Sequence, residues 1–594
     1  MKGLFLKPIK KGDYLIMEKE QEEQLHMYRH SMAHVLAKAL TQLWPDVKLT
    51  IGPAIDNGFY YDIDLEHSIT PDDFKAISDK MDAIIKNNED FVRREVSKAE
   101  ALEMFKDNKY KTELINEMPE DEVITVYYTG DDFVDLCRGP HVENTKYLRG
   151  FAYKIAKVNG AYWRGNEKNK MLQRVYVYGF LNKEDLKQYV NMMEEALKRD
   201  HRKLGKELQL YFISDYAKGM PTYMPKGLIL KNTLIDFWRE IHRKAGYIEI
   251  ETPMAMNRQL WEVSGHWDHY KSNMYTFTVE DETFAIKPMN CPGGMLYYQQ
   301  NIHSYKEFPL RVGELGKVHR HEASGTLNGL LRVRCFTQDD AHIFMLPSQI
   351  EDEIKNVMKL VDQVYTTFGL KYTVELSTMP ESHIGEVSEW EMAETALSNA
   401  LKHMGLDFKI NPGDGAFYGP KIDIHVTDCI GREWQCGTIQ LDMQLPKRFN
   451  LTYVDSDGSL KEPIMIHRVI YGSMERMIAV LIENFAGAFP TWLAPVQVKI
   501  LNIADSHLEY ANKIKELLDD NNIRVELDDR NEKIGKKIRE AQLEKVPYML
   551  VIGDKEVEEG KVSVRHRKEG DKGSMTIDEF LNMIKAEIKS KEIK

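Results

Sequence analysis

The length of the chain is the first constraint on its fold, because 594 residues are too many to surround one hydrophobic core. Domains usually hold about 100–200 residues, so the length predicts about three or four of them. The proline-punctuated segment FPTWLAP predicts one boundary, and a highly charged segment with helical periodicity predicts a connecting helix. We therefore divide the chain into an N-terminal extension (1–19), a first domain (20–181), a connecting helix (182–208), a large central domain (209–491) and a C-terminal domain (492–594).

Composition predicts a globular protein of a reducing compartment. Hydrophobic residues make up 43% of the chain and charged residues 29%, and no apolar run approaches the roughly 18 residues that span a bilayer. The five cysteines include no CxxC pair, and the N-terminus lacks a signal-peptide pattern. We expect a cytoplasmic protein without membrane contact. The formal charge of −13 argues against indiscriminate binding of nucleic acid, but a local basic stripe could still contact phosphates.

The first domain opens on a segment with helical periodicity, over about residues 20–43. One apolar stripe of this helix is formed by Leu25, Met32, Leu36, Leu40 and Leu43. His30 and His34 lie together on a face roughly opposite that stripe, so we predict that neither is a core residue.

A second motif of the first domain, CRGPH, carries Cys137 and His141, and its Gly139-Pro140 pair predicts a turn rather than a helix. HxxxH together with CxxxH has the spacing of a zinc site. From the residues alone, a solvated histidine pair beside a structural turn is the other interpretation.

The C-terminal domain alternates between two patterns. Strands are predicted at VQVKILNI, IRVELDD, YMLVIGD and KVSVRHR, and helices at HLEYANKIKELLDD, KIGKKIREAQLEK and TIDEFLNMIKAEI. The alternation predicts a small α/β domain with a partly parallel sheet. Two basic clusters could meet RNA phosphates or could simply be solvated: Lys533, Lys536, Lys537 and Arg539 on one helix, and Lys561, Arg565, Arg567 and Lys568 around one strand.

Three segments of the central domain carry a family resemblance. The first is a helix, LILKNTLIDFWREIHRKAG, followed by a strand that ends at Pro253. The second is GKVHRHEASGTLNGLLRVRCFTQDDAHIF, and the third is YGSMERMIAVLIE. In this order and spacing they resemble the three signature motifs of class II aminoacyl-tRNA synthetases, and the sequence around them resembles the threonyl-tRNA synthetases.

The resemblance implies a multidomain α+β and α/β protein. It would combine a class II catalytic domain on an antiparallel sheet, an N-terminal α+β editing domain and a C-terminal α/β anticodon-binding domain. The first motif builds the dimer interface in this family, so a homodimer is expected. Many bacterial members begin with an additional ubiquitin-like domain, and the short stretch before the first helix leads us to expect none here.

The resemblance also implies an ATP site. Arg320 would contact the α-phosphate, Glu322 the adenine amine and Arg476 the γ-phosphate, with Arg332 beside them. Guanidinium groups present a fixed fork of donors that suits phosphate oxygens. Mg²⁺ would bridge the phosphates of the nucleotide. Positioning and charge neutralisation would then suffice to form an aminoacyl-adenylate without a protein nucleophile.

For the amino acid, the resemblance implies one zinc ion per subunit, held by Cys291, His342 and His467, which no spacing rule would select. Three protein ligands leave coordination open for a substrate. The amine and hydroxyl of L-threonine can both coordinate, whereas valine has no hydroxyl to offer. The residues expected around the amino acid are Gln338, Asp340, Tyr418, Gln435 and Gln440.

Serine is not rejected by such a site, because a missing methyl group separates substrates by only about 1–3 kcal/mol. The first domain resembles the editing domain of threonyl and, more distantly, alanyl enzymes, which hydrolyses mischarged seryl-tRNA. The residues that this resemblance assigns to editing are His30, His34, Lys111, Asp135, Cys137 and His141. We favour metal-free hydrolysis over a second zinc ion.

The C-terminal domain resembles the anticodon-binding domain of class IIa synthetases, with Asn531, Glu556 and Arg565 where tRNA(Thr) bases are read. A catalytically silent tRNA-binding paralogue and a free-standing deacylase are the alternative functions. Both predict loss of an ATP arginine or of a zinc ligand, and none is lost.

Overall fold

The computed structural model describes residues 19–593 and contains two compact units, one ending at Glu194 and the other beginning at Glu195. The expected N-terminal extension lies outside the described residues, apart from residue 19. Within the described range, no helix combines the length and the apolar character needed to cross a membrane.

The N-terminal unit consists of helices packed on two antiparallel sheets. Its elements in chain order are α1 (Lys19–Leu43), β1 (Lys48–Leu49), β2 (Ala54–Ile55), β3 (Gly58–Asp64), α2 (Phe74–Lys86), β4 (Phe91–Val96), α3 (Lys98–Met104), α4 (Lys109–Glu117), β5 (Ile124–Thr129), β6 (Val134–Leu136), β7 (Ala152–Tyr162), β8 (Met171–Phe180) and α5 (Lys183–Arg199), whose last residues continue into the second unit. One sheet has the order β1-β3-β8-β7, with β2 also paired to β3. The other has the order β4-β5-β6.

Helix α1 is buried on more of its surface than its sequence pattern predicted. The apolar stripe packs into the core as expected. The prediction that neither histidine is a core residue is wrong for His34, which is only 2% exposed. The physical reason is a second layer: His34 lies 4.2 Å from His141 and 6.5 Å from Tyr127, measured between ring centroids. Residues of the CRGPH turn and of β5 therefore cover the face that would otherwise be solvated.

The segment 182–208 is not the single connecting helix that its periodicity predicted. Helix α5 ends at Arg199, and a separate helix α6 (His201–Glu207) begins two residues later. Asp200 leaves the helical conformation, and its carboxylate accepts a hydrogen bond from the backbone N–H of Arg202. An N-cap aspartate of this kind starts a new helix and thereby ends the previous one.

The central part of the second unit is built on one large sheet. After α6, its elements are β9 (Tyr211–Ile213), β10 (Pro221–Tyr223), α7 (Pro225–Lys244), β11 (Ile248–Glu249), β12 (Ala255–Asn257), α8 (Arg258–Val263), α9 (His266–Tyr270), β13 (Tyr275–Val279), β14 (Glu282–Ile286), α10 (Cys291–Tyr298), β15 (His303–Ser304), β16 (Leu310–His319), β17 (Cys335–Met345), α11 (Ile350–Thr367), β18 (Lys371–Ser377), α12 (Val387–His403), β19 (Phe408–Asn411), β20 (Lys421–Thr427), β21 (Glu433–Asp442), α13 (Leu445–Arg448), β22 (Tyr453–Val454), β23 (Leu460–Lys461), β24 (Ile464–Val469) and α14 (Met474–Phe485).

The large sheet has the order β11-β16-β17-β24-β21-β20-β18-β19. Its six inner strands pair antiparallel, as predicted, and only the two outermost pairings are parallel. Side chains of α7, α11 and α14 join those of the sheet in one hydrophobic core. The three signature segments thus meet on one scaffold: α7 with β11, the pair β16–β17, and α14.

The C-terminal part of the second unit is the predicted α/β arrangement. Its elements are β25 (Val498–Asn502), α15 (Leu508–Asp520), β26 (Val525–Asp528), α16 (Ile534–Leu543), β27 (Tyr548–Ile552), α17 (Asp554–Glu559), β28 (Lys561–His566), β29 (Gly570–Thr576) and α18 (Ile577–Ser590). The sheet order is β26-β25-β27-β28-β29, parallel at its first two pairings and antiparallel at the last two. Helix α17 and strand β29 were not predicted, because one is short and highly charged and the other is rich in glycine and polar residues.

Two residues of the basic clusters do not have the exposed position expected of phosphate contacts. Lys537 is 1% exposed, and its ammonium donates to both oxygens of Asn502 and to the carbonyl of Asp528. Arg567 donates to the backbone carbonyls of Lys545 and Ala488, and burial lowers its pKa to about 10. Their donors are taken up by internal acceptors, so neither of the two interpretations left open for the clusters, phosphate contact or solvation, describes these two side chains.

We predict that Lys537→Ala destabilises the chain by about 2–3 kcal/mol, because it leaves buried acceptors without a donor. Lys536→Ala is the matched control, since Lys536 is an exposed neighbour paired only with Glu532 across one helical turn. Thermal unfolding of the full chain, followed by circular dichroism, compares the two. Equal midpoints for both variants would contradict the structural role of Lys537.

Candidate functional sites

One face of the large sheet aligns polar side chains from four adjacent strands. His342 of β17 lies opposite His467 of β24, His467 opposite Gln440 of β21, and Gln440 opposite Lys421 of β20. Directly opposite residues project from the same face of a sheet, and so do residues two apart on one strand. Asp340 therefore shares this face with His342.

Cys291 joins this face from the first turn of α10. Its sulfur and one ring nitrogen each of His342 and His467 lie within 4.8 Å of one another, and all three residues are buried. Nε2 of His342 has no hydrogen-bond partner. Burial lowers the pKa of His342 to about 3 and raises the pKa of the Cys291 thiol. Neutral imidazoles and a thiol that can lose its proton on binding are a donor set that fits a zinc ion.

Asp442, at the end of β21, supports this cluster and was not predicted. Its carboxylate lies 2.7 Å from Nε2 of His467, and its other oxygen accepts from the backbone N–H groups of Gln444 and Leu445. A carboxylate on one ring nitrogen fixes the orientation of a histidine whose other nitrogen binds a metal. The sequence signal is weak, because Asp442 lies far along the chain from all three of the clustered residues.

The residues expected to bind the amino acid divide into two groups. Asp340 accepts a hydrogen bond of 3.1 Å from Asn290, the neighbour of Cys291. Tyr418 packs 4.9 Å from the ring of His467, and its hydroxyl donates to Gln440 over 2.5 Å. Gln338 lies on the same face as Asp340, and its side-chain oxygen is buried without a partner. Gln435 forms the second group: it donates over 2.6 Å to Asp423, which lies two residues beyond Lys421 on β20.

His266, at the start of α9, contacts the same cluster and was missed in the sequence. Its Nε2 lies 3.6 Å from the sulfur of Cys291 and 3.2 Å from that of Met289. Burial lowers its pKa to about 3, so this imidazole is neutral. The motif HWDHY offers no spacing that would have singled it out.

Three of the predicted ATP residues, Arg320, Glu322 and Arg332, lie in the loop between β16 and β17, and the fourth contacts it. Glu322 and Arg332, at opposite ends of that loop, form an ion pair of 2.9 Å. Nε of Arg320 donates to the carbonyl of Pro288 over 3.1 Å. Arg476, in the first turn of α14, donates to the carbonyl of Leu331 over 3.2 Å. The structure therefore places Arg476 against the loop that carries Arg332.

Asp339 joins the second signature segment to the third, a role that was not predicted. Its carboxylate accepts three backbone N–H groups, from Ile470, Tyr471 and Gly472, each over 3.0 Å. The residue is completely buried, and burial raises its pKa to about 6. Residues 470–472 lead into α14. By binding them, this carboxylate determines where the helix begins and hence where Arg476 lies.

The N-terminal unit holds a second cluster, of His30, His34, Cys137 and His141, with one ligand-type atom from each within 4.8 Å of the others. The Cys137 sulfur lies 3.3 Å from Nε2 of His30 and 3.1 Å from Nε2 of His141. Burial lowers the pKa of all three histidines and raises the pKa of Cys137 to about 11. The cluster is therefore a set of neutral groups, of which His34 is buried and His30 and His141 are half-buried.

A cavity of about 350 Å³ opens beside this cluster and is lined by His30, His34 and Cys137. Lys111 and Asp135 also line it, and they form a buried ion pair of 2.5 Å. The hydroxyl of Tyr61, which was not predicted, donates to the same aspartate. Five of the six predicted editing residues line the cavity. The sixth, His141, does not line it but contacts the Cys137 sulfur.

The three predicted anticodon residues occupy separate positions in the C-terminal part. Asn531 is exposed in the loop before α16. Glu556 accepts from the backbone N–H of Gly553 and caps α17. Arg565 is on β28, with its guanidinium 3.7 Å from Asp571. The structure does not gather these residues into a pocket comparable with the two clusters above.

An antiparallel sheet of this order defines the class II aminoacyl-tRNA synthetases when it carries arginines in the loop between β16 and β17 and a further arginine at the start of α14. Three domain families match the chain accordingly. They are the tRNA synthetase class II core domain (G, H, P, S and T) at 275–485, an anticodon binding domain at 496–587, and the threonyl and alanyl tRNA synthetase second additional domain at 124–176.

Relatives narrow the class to one family. A threonine–tRNA ligase of Clostridioides difficile is 58% identical over 98% of this chain and 91% of its own length, and one of Clostridium tetani is 58% identical over 96% and 90%. The chain belongs to the threonyl-tRNA synthetases. Among solved structures, the RNA binding domain of the Cryptosporidium parvum threonyl-tRNA synthetase has a TM-score of 0.64 at 43% identity and covers 65% of this chain and 98% of its own. A putative threonyl-tRNA synthetase of Aeropyrum pernix has a TM-score of 0.59 at 29% identity, over 66% and 97%.

Asp339 and its neighbour Asp340 project from opposite faces of β17, and we predict opposite effects on stability. Asp339→Asn should destabilise the chain by about 2–3 kcal/mol, because an amide nitrogen would face backbone donors that now meet a carboxylate. Asp340→Asn should leave the unfolding temperature unchanged or raise it, since burial raises the pKa of Asp340 and disfavours its charged form. Thermal unfolding of both variants measures this, and a larger loss from Asp340→Asn would contradict it.

Proposed function

We propose that this chain attaches L-threonine to tRNA(Thr) through a threonyl-adenylate, with zinc in the amino-acid site, and hydrolyses mischarged seryl-tRNA(Thr) in a second site. The observation that carries the proposal is the convergence of Cys291, His342 and His467 on the face that also holds Asp340. We also propose that residues 20–181, 182–208, 209–491 and 492–594 act as editing module, connector, catalytic module and anticodon-binding module, with 1–19 as an extension.

The family uses ATP together with Mg²⁺. In this chain Arg320 begins the loop between β16 and β17 and contacts Pro288, while Arg476 contacts the same loop from α14, an arrangement that suits two phosphates of one bent nucleotide. Glu322, paired with Arg332 in the structure, can accept from the adenine amine when the nucleotide enters. Fixed positive groups offset the charge that builds up at the α-phosphorus, and the acceptor hydroxyl of the tRNA is the second nucleophile.

Zinc held by Cys291, His342 and His467 would supply coordination for the amine and hydroxyl of threonine and thereby select against valine. Asp340 would then face the ammonium side of the substrate, held by its hydrogen bond from Asn290. Tyr418 and Gln440, which are hydrogen-bonded to each other, close the site beside His467. Asp442 holds the His467 ring in place.

We predict one tightly bound zinc ion per chain. Metal analysis of the purified protein, with and without dialysis against a chelator, measures the stoichiometry. Cys291→Ala should reduce it to near zero, while Cys436→Ala, at a buried cysteine outside both clusters, should leave it at one. A value near two would mean that the N-terminal cluster also binds metal, and zero in the unaltered chain would remove the basis for threonine selection.

For editing we propose metal-free hydrolysis. His30 and His34 line the cavity, are neutral, and each has an Nδ1 without a hydrogen-bond partner. A neutral imidazole can accept a proton from water, and the paired Lys111 and Asp135 provide a fixed polar wall against the substrate.

The double variant His30→Ala/His34→Ala should charge threonine at a near-normal rate but accumulate seryl-tRNA, because a missing methyl group costs only about 1–3 kcal/mol in the zinc site. Two measurements check this: hydrolysis of pre-formed seryl-tRNA, and the rate of threonine charging. Variant His26→Ala serves as a control, since His26 is an exposed histidine on the same helix. A double variant that still clears seryl-tRNA, or that loses threonine charging while folded, would contradict the assignment of this module.

We also propose that the protein is a cytoplasmic homodimer. Large apolar side chains of the first signature segment, and the methionine just after it, are exposed on the isolated chain: Leu228 and Ile229 of α7, Ile248 of β11, and Met254. Exposed large apolar side chains are typical of an interface between subunits. Asn531, Glu556 and Arg565 would contact the anticodon of the bound tRNA.

The experiment that tests the proposed function is amino-acid-dependent exchange between ATP and pyrophosphate, run with threonine, serine and valine. Threonine should support exchange strongly, serine measurably and valine hardly at all. Arg320→Ala and Arg476→Ala should each remove exchange with all three amino acids. Exchange that favours valine over serine, or none with threonine, would overturn the proposal.

A further inference from the structure

A third buried group of side chains lies outside both proposed sites. His201, at the start of α6, is 1% exposed and contacts Glu483 near the end of α14. Its Nδ1 lies 2.7 Å from the Glu483 carboxylate, and its backbone N–H donates to the same oxygen over 3.1 Å. On its other side, Nε2 of His201 accepts from the backbone N–H of Leu330 over 3.1 Å.

These contacts fix the proton of the histidine. A backbone N–H can only donate, so Nε2 of His201 must be unprotonated where it meets Leu330. The single ring hydrogen then sits on Nδ1 and is donated to Glu483. His201 is therefore a neutral, two-ended connector, and only this tautomer satisfies both partners.

The residue that His201 holds belongs to the loop of the ATP site. Leu330 is completely buried in the turn just before Arg332. Gly329, at a φ of +50°, lies directly on the imidazole: a Cβ added there would be 2.1 Å from Nε2 of His201. The residue after Leu330 is Leu331, and its carbonyl accepts a hydrogen bond from Arg476. The turn is thus held to α14 twice, by Arg476 at one end and through His201 and Glu483 at the other.

We propose that His201 is a positioning residue for adenylate formation: it holds the turn at 329–331 against α14 so that Arg332 and Arg476 keep their spacing in the ATP site. This inference rests on the proposed function. Neither the imidazole nor Glu483 touches the nucleotide in this scheme. Their effect passes through the backbone of Leu330, and an error of about 1 Å in the position of a phosphate ligand is enough to slow a reaction severely.

The test uses two amide replacements that each keep half of the connection. His201→Gln can place an acceptor where Nε2 now meets Leu330, while His201→Asn can place a donor where Nδ1 now meets Glu483. If the hold on the turn matters, His201→Gln should stay close to the unaltered chain. His201→Asn should lose about tenfold or more in kcat/KM for ATP, because a buried N–H loses its acceptor. The KM for threonine should not change in either variant.

Full-length chains are compared by threonine-dependent exchange, by calorimetric binding of ATP, and by thermal unfolding. Lys203→Ala, at an exposed position of the same helix, is the matched control and should behave as the unaltered chain. Gly329→Ala, which presses a methyl group onto the imidazole, should reproduce the ATP defect and decides the question if His201→Asn does not fold. Equal behaviour of the Gln and Asn variants, or parallel loss of ATP and threonine affinity, would overturn the inference. Absence of exchange in the unaltered chain would overturn the proposed function instead. In that case, calorimetric binding of ATP would still distinguish His201→Gln from His201→Asn.

Discussion

The hydrogen bonds of the buried Asp339 carboxylate are the interaction on which the arrangement of β17 and α14 depends. The carboxylate takes three backbone donors from the turn that starts α14, and it sits on β17 between Gln338 and Asp340, which face the other side of the sheet. Alternation along β17 therefore serves two purposes at once. One face carries Gln338, Asp340 and His342, and the other binds the turn before the helix that carries Arg476. Burial of this charge is costly, as its raised pKa indicates, and the three donors offset that cost.

The two clusters of histidine and cysteine use the same residue types under different constraints. In the sheet, His342 and His467 are held by a rigid ladder, and Asp442 orients one of the rings. In the N-terminal unit, Cys137 comes from a turn, and its sulfur already contacts two histidines. Both clusters contain ring nitrogens without a hydrogen-bond partner, on His342 in the sheet and on His30 and His34 in the N-terminal unit. The difference between them is the cavity of about 350 Å³ that His30, His34 and Cys137 line.

Periodicity in the sequence predicted the elements well and the long-range contacts poorly. Helix α1 and the C-terminal alternation could be read from local patterns, because amphipathic spacing depends only on neighbouring residues. Lys537 shows the limit: its charge predicted exposure, and only the fold reveals the three acceptors that surround it. Cys291 and its two histidines could be named by resemblance but by no spacing, since sheet register brings the histidines together and a separate helix adds the cysteine. His201 carried no signal, because both of its partners lie far away in sequence.

Selection against valine and selection against serine place incompatible demands on a single pocket. A site that coordinates an amine and a hydroxyl rewards any substrate that has both, and serine has both. Excluding serine there would require binding energy from one methyl group, which is worth only about 1–3 kcal/mol. A second pocket that admits the smaller side chain and hydrolyses its ester escapes this limit, because the two selections then multiply. The N-terminal unit has its own hydrophobic core and its own cavity lined by histidines, so it has the parts that a separate second pocket needs.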